Sequence, residues 1–305
     1  MNNANPRYRR RLRGFVDRQV FVVTTSASQV TWVVRDLIEK GVNVLGVNGG
    51  DGTLHGVINA LYDLLENKEI SVEDVPLLLP LNGGTYNIVS RAMGTKGNPV
   101  ATVREFLRRF DGLQVEDIER VPLPVLEIST SRDLKIRGMV FGSEVVANAL
   151  ELCSRFGSGY LGLLKLLAMG SAGAFFRTGF LEKHGWRLRP SDWRVVVDKR
   201  VMEASAVTIS TVNLTLVKGL IWSLTASPRT DAFHVRVIKA RRPVELAMLI
   251  PELLWERSHP LIEDFSEATY VETHGAFTLD GELYPNGGRV VVRPGRWVFE
   301  LVSFK

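Results

Sequence analysis

The sequence predicts an α/β chain of two parts: a doubly wound sheet with helices on its faces, then a β-sandwich-like part with inserted helices. Three observations carry this. Short apolar strands alternate with amphipathic helices through the first third. Two of those strands run directly into glycine turns, Gly49-Gly50-Asp51-Gly52-Thr53 and Asn82-Gly83-Gly84-Thr85. From about residue 121, Val-rich segments at strand length dominate.

Taken in order, Val20 to Thr24 reads as a strand. Residues 28–40 read as a helix with Val30, Val33, Val34, Leu37 and Ile38 on one face and Gly41 closing it. Val44 to Val47 is a short strand. Leu54, Val57, Ile58, Leu61, Leu64 and Leu65 share one face of the helix after the first glycine turn. Residues 77–79 form a strand between prolines. The second glycine turn opens a short helix carrying Ile88, Val89, Ala92 and Met93. Val103, Phe106, Leu107 and Phe110 mark the next helix, ended by Asp111-Gly112. The strand segments that follow are 125–130, 136–141, 193–198, 201–212, 233–239, 270–279, 289–293 and 297–303. Asp198-Lys199-Arg200 supplies a hairpin turn. Helices are expected at 145–153, within 160–177, and at 244–255, where Pro251 breaks the last. The domain division is placed at 1–118 and 119–305.

The 305 residues are 45% hydrophobic and 23% charged, which excludes a disordered chain. The single cysteine, Cys153, excludes a disulfide framework and a thiolate metal site. The N-terminus lacks an apolar leader region, and Tyr160 to Phe176 is too short and too interrupted for a span. A cytoplasmic protein is expected. Formal net charge is +5, and Arg7, Arg9, Arg10, Arg11, Arg13 and Arg18 face only Asp17. That cluster reads as a solvated face, with a nucleotide's phosphates or an anionic membrane as the other readings.

No Walker-type loop, no metal-spaced histidines and no nucleophile elbow occur. Gly157-Ser158-Gly159-Tyr160-Leu161-Gly162 spells a dinucleotide fingerprint, but a helix-like segment precedes it where a strand is required. It reads as loop and packing. In Gly49–Thr53 the glycines leave the turn bare, and N–H groups converge on a spot suited to phosphate. Asp51 would repel a bare phosphate, so it implies a divalent cation between the two; otherwise it caps the helix. The second glycine turn lies one βα unit later and emerges on the same sheet edge. Asp280-Gly281-Glu282, taken alone, is a hairpin turn.

Taken together, Gly49–Thr53, Gly84-Thr85-Tyr86-Asn87 and Asp280–Glu282 resemble the signature set of the diacylglycerol kinase catalytic-domain family. Asn5-Pro6, Asn213 and Pro228–Phe233 are similar to further family segments, so the resemblance spans nearly the whole chain. The resemblance implies an ATP- and Mg²⁺-dependent lipid kinase with its active site between the two domains. By that resemblance Thr25, Asn48, Gly49, Gly50, Asp51, Gly52, Thr53, Gly84, Thr85 and Asn87 surround the nucleotide. Asp51 acts near the catalytic magnesium. Glu282 is the general base for the lipid hydroxyl. Asp231, with carbonyls of Pro228 and Phe233, forms a structural magnesium site. The sequence departs from the family at Tyr8-Arg9, Tyr86, Ile88 and Ala232, and fewer residues precede Asn5 than the family's first strand needs.

The expected reaction is transfer of the ATP γ-phosphate to a hydroxyl of a membrane lipid such as diacylglycerol. The expected partner is a bilayer surface met peripherally at the inner face, with no nucleic acid; the oligomeric state, a homodimer included, stays open. Residues 160–180 read as a core helix or as a contact for acyl chains. The rival readings are an NAD kinase, which shares GGDGT, and a non-catalytic nucleotide- or lipid-binding relative.

Overall fold

The computed structural model describes residues 6–84, 87, 89, 95, 97–110, 112, 114–156, 189–213, 226–249, 252, 259–285 and 288–304. The readings placed on Asn5, Thr85, Tyr86, Ile88, Gly157–Gly162 and residues 160–180 lie outside the described residues. The chain divides into two units, Met1–Leu123 with Trp297–Lys305, and Pro124–Arg296.

In the first unit, helix α1 (Pro6–Leu12) is followed by α2 (Val30–Glu39), β1 (Val44–Val47), α3 (Asp51–Glu66), β2 (Leu77–Pro80), α4 (Pro99–Phe110) and β3 (Arg120–Leu123). The apolar spacing dictates which faces are buried: Val33, Val34 and Leu37 of α2, and Leu54, Val57, Ile58, Leu61, Leu64 and Leu65 of α3.

The second unit contains β4 (Leu126–Thr130), β5 (Lys135–Gly138), β6 (Val140–Gly142), α5 (Glu144–Phe156), β7 (Arg194–Val197), β8 (Arg200–Glu203), β9 (Ala206–Ser210), β10 (Phe233–Ile238), α6 (Pro243–Met248), β11 (Ile262–Ala268), β12 (Val271–His274), β13 (Phe277–Leu279), β14 (Glu282–Tyr284) and β15 (Arg289–Pro294). Two six-stranded sheets form, ordered β11-β10-β9-β6-β13-β14 and β5-β4-β15-β12-β7-β8. Phe141, Ile209, Val235 and Leu279 of the first meet Ile128, Val197, Val271 and Val292 of the second in one core. Burying side chains of that size contributes roughly 1.5–3 kcal/mol each.

The chain then returns to the first unit with β16 (Phe299–Val302), giving the sheet order β1-β2-β16-β3. The division at 118/119 expected from the sequence places this segment with the β-rich part. Its alternation explains its place: Leu301 pairs with Leu78 of β2 and both are wholly buried. Val302 faces Leu12, Leu77, Leu79, Val100 and Val103, the side covered by α1 and α4. Phe299 faces the other way, toward Tyr62 of α3 at 6.4 Å. Helices therefore cover both faces of this sheet, as the doubly wound reading expects.

Several expected strands differ. Residues 20–24 are not a strand: β1 is bonded to β2 alone, and Val22 and Val23 are each 40% exposed. The run 136–141 is broken at Met139, whose N–H turns to the Asp280 carboxylate at 3.0 Å. The run 201–212 bends between Glu203 and Ala206, and 270–279 bends at Gly275 (φ +94°). Strands β3, β11 and β14 lie outside the expected strand segments; Glu263, Asp264 and Glu267 interrupt the apolar pattern of β11. Within the expected helix 244–255, α6 runs to Met248 and Glu252 is also helical, while residues 250, 251 and 253–255 lie outside the described residues. Among the described residues, no helix is long and apolar enough to cross a membrane.

Candidate functional site

The site is built where β1 and β2 end. The two strands are parallel, with Val44 opposite Leu77 and Val47 opposite Pro80. Their following loops therefore leave the same edge of the sheet. The Leu81 N–H donates to the Val47 carbonyl at 2.9 Å, which holds the loops together at their base.

Glycine is required here by close approach of backbone to backbone. A Cβ on Gly84 would stand 2.2 Å from the Gly50 Cα, and one on Gly83 would stand 2.9 Å from the Gly49 nitrogen. A Cβ on Gly49 would meet the Thr53 hydroxyl oxygen at 2.1 Å. No side chain fits between the turns, so their peptide groups pack against each other.

Polar side chains fix the shape. Asn87, with φ +50°, accepts the Gly84 N–H through Oδ1 at 2.8 Å and donates from Nδ2 to the Gly84 carbonyl at 2.8 Å. Asn82 Nδ2 donates to the carbonyls of Thr95 and Gly97 at 3.3 and 3.2 Å. Gly50, not Asp51, is the N-cap of α3, with extended φ −95° and ψ −169°. Asp51 is the first residue of that helix, where the dipole favours a negative charge. Its Oδ1 accepts the Val89 N–H at 3.3 Å. Asn48 Oδ1 is buried without a hydrogen-bond partner. Val47, Gly49, Gly50, Asp51, Leu54, Pro80, Asn82 and Asn87 line a shallow pocket.

Of the residues singled out by sequence, Gly49, Gly50, Asp51 and Asn87 line this pocket, and Asn48, Thr53 and Gly84 support its walls. Gly52 lies exposed on the first turn of α3. Thr25 is not among the lining residues: its hydroxyl donates to Gln29 Oε1 at 3.1 Å, at the turn before α2. Sequence reasoning passed over Asn82, Val47, Leu54 and Pro80. Asn82 stood within the second glycine turn; the other three read only as core.

The carboxylates of the second unit are placed by a hairpin. Leu279 pairs with Glu282, and Asp280 (φ +51°) with Gly281 (φ +88°) makes the two-residue turn. Asp280 Oδ1 accepts the N–H groups of Met139 and Val140 at 3.0 and 2.9 Å. Glu282 opens β14 and is exposed. The phenol of Tyr284 is pushed up to about 12, first by burial and then by the charges of Glu282 and Asp280. That ring stacks on Phe277 at 4.8 Å.

The residues proposed for a structural magnesium do not fit one. Arg229 Nε and Nη2 take both Asp231 oxygens at 2.8 and 2.7 Å and hold that carboxyl below its ordinary range. Phe233 is wholly buried at the start of β10, paired with Ala268. Among the described residues no group of three His, Cys, Asp or Glu side chains stands where it could hold a metal ion. The first glycine turn carries oxygen donors of the kind a hydrated magnesium takes, the Asp51 carboxylate and the Asn48 amide oxygen, which has no hydrogen-bond partner.

Residues 4–115 match the diacylglycerol kinase catalytic domain, and this stretch contains both glycine turns. No curated protein matches the chain. A diacylglycerol kinase from Bacillus anthracis str. Sterne superposes with TM-score 0.57 at 16% identity, covering 92% of this chain and 84% of that one. Two further structures from that organism give TM-scores of 0.62 and 0.60 at 15% and 18% identity, each covering 92% of this chain and 85% of its own. These likenesses are at the level of the fold. An NAD kinase from Archaeoglobus fulgidus in complex with ATP aligns more loosely, with TM-score 0.41 at 10% identity over 88% of this chain and 80% of that one. The match of residues 4–115 to this catalytic domain supports a phosphotransferase.

Proposed function

We propose that the chain transfers the γ-phosphate of ATP to a hydroxyl of a membrane lipid, with Mg²⁺, as a peripheral enzyme of the inner membrane face. The observation that carries this reading is the packing of the two glycine turns, Gly83-Gly84 on Gly49-Gly50, beside the Asp51 carboxylate. Bare peptide edges and a helix N-terminus suit phosphate oxygens. A carboxylate at the same place is useful only if a cation lies between it and the phosphates.

In this reading ATP·Mg²⁺ supplies the activated phosphoryl group, and the chain supplies position and proton acceptance. Gly49, Gly50 and Gly52 offer peptide N–H groups, with Thr53 beside them, and the family resemblance adds Thr85 as a phosphate contact. Asn87 keeps Gly84 oriented. Asp51 and Asn48 face the cation. Glu282, exposed at the start of β14, accepts the proton of the attacking hydroxyl.

The test is label transfer from γ-labelled ATP to a lipid extract, with NAD as a parallel acceptor. Label in the organic phase that requires Mg²⁺ is the expected result. Label on NAD alone would overturn the acceptor assignment. No transfer to either by a protein that melts cooperatively would overturn the phosphotransferase assignment.

A further inference from the structure

We propose that the Arg229 guanidinium is a resident cation, which ties the turn before β10 in place of a structural magnesium ion, so that the second unit folds without a divalent ion. The family resemblance implies that ion beside Asp231. The geometry of the turn disagrees with it.

Two carboxylates converge on one guanidinium. Arg229 Nε and Nη2 donate to Asp231 Oδ1 and Oδ2 at 2.8 and 2.7 Å, a two-point contact across the turn. Arg229 Nη1 lies 3.9 Å from Glu267 Oε2. Glu267 belongs to β11, next to Ala268, which pairs with Phe233 at the start of β10. The guanidinium thereby links the turn to the neighbouring strand, which is the work of a structural ion. Occupancy is exclusive. Magnesium holds oxygen donors at about 2.0–2.1 Å in a near-ideal octahedron, and guanidinium nitrogens already stand against both Asp231 oxygens.

The rest of the turn is also held by the chain itself. The Arg229 N–H donates to Ser227 Oγ at 3.2 Å, and the Ala226 N–H donates to Asn213 Oδ1 at 2.7 Å. A guanidinium keeps its charge at any pH where the protein folds, so this tie depends on neither metal supply nor pH in the neutral range. Removing the guanidinium alone would leave Asp231 and Glu267 facing one place with no cation between them. Carboxylate oxygens so arranged are what a divalent ion takes. The side chains of Arg229, Asp231 and Glu267 all reach solvent, so replacing Arg229 leaves the core untouched and an ion can enter.

The experiment is thermal melting of the full chain without nucleotide, over a magnesium chloride series at constant ionic strength. Wild type and D231N should respond to magnesium alike. R229Q should gain a magnesium-dependent rise in melting temperature larger than that of the wild type, and R229Q/D231N should lose most of that gain. A wild-type response that D231N weakens would overturn the proposal, because the ion would then displace Arg229. An R229Q variant no more responsive than the wild type would also overturn it, because Arg229 would then not stand in a cation's place. The comparison of wild type with D231N leaves position 229 unchanged, so it decides the matter even where R229Q fails to fold. No nucleotide or phosphoryl transfer enters these melts, so either result leaves the kinase reading untouched.

Discussion

The Val89 backbone N–H donates to Asp51 Oδ1 at 3.3 Å, thirty-eight positions along the chain. One carboxylate therefore serves the first turn of α3 and also anchors the segment after the second glycine turn. Asp51→Asn retains an acceptor oxygen for that bond and removes only the charge. The fold should survive, with a loss of about 0.3–1 kcal/mol from the helix terminus. Phosphoryl transfer should fall by more than roughly 10²-fold, as expected when charge neutralisation at the phosphates is lost. Thermal melting with a turnover assay checks both; normal turnover would leave Asp51 a structural tie alone.

Gly84→Ala tests the packing of the two turns. The added methyl would stand 2.2 Å from the Gly50 Cα, and backbone cannot move aside as a side chain can. A loss on the order of 1–3 kcal/mol is expected, with loss of nucleotide binding measured by calorimetry. Gly56→Ala is the control. A Cβ there meets nothing within 4 Å, and it sits inside α3, so stability should rise by up to about 1 kcal/mol.

Asp231→Asn should leave the magnesium dependence of transfer unchanged, because Arg229 already occupies both oxygens of that carboxylate. A shift in the magnesium concentration for half-maximal activity would show that the ion displaces Arg229.

Much of this architecture was legible because burial follows simple periods. The stripe from Leu54 to Leu65 gave α3, and Val44–Val47 gave β1, since each buries one face or a whole strand. The glycine turns were legible as chemistry, and their contact follows from two parallel strands ending at one edge. What the sequence hid was non-local. Nothing in Phe299–Val302 says that this strand leaves the β-rich unit for β2, because its alternation suits either sheet. The Asp51–Val89 bond, and the Asp280 carboxylate on Met139 and Val140, join positions far apart that no local spacing marks. Val20–Thr24 looked like a strand on composition, yet strand formation needs a partner, and β1 pairs with β2 only.

Glu272 gives a pH dependence with a definite sign. The Arg289 guanidinium at 2.6 Å, with Tyr270 donating at 2.6 Å, brings its carboxyl down to about 2. A depressed carboxylate contributes stability above its unfolded value, near 4.3, and that contribution is lost as pH falls through about 2. Glu272→Gln should therefore cost about 1–2 kcal/mol at neutral pH, discounted because Arg289 is half exposed. The difference should shrink between pH 4 and 2 in urea unfolding curves.

The hairpin at Asp280 and Glu282 separates a structural carboxylate from a proposed catalytic one. Asp280 accepts two backbone N–H groups where β5 gives way to β6, so Asp280→Ala leaves both without that acceptor. A stability loss of about 1–3 kcal/mol is expected. Glu282 is exposed and pairs with Leu279 through backbone alone, so Glu282→Gln should melt as the wild type does. Its carboxylate nevertheless raises the Tyr284 phenol, so the substitution should bring that phenol below its value of about 12, read in a tyrosine titration. If Glu282 also accepts the hydroxyl proton, kcat should fall by roughly 10²–10⁴ with little change in ATP affinity. A lowered phenol pKa with unaltered kcat would show that the charge is present beside Tyr284 and takes no part in the transfer.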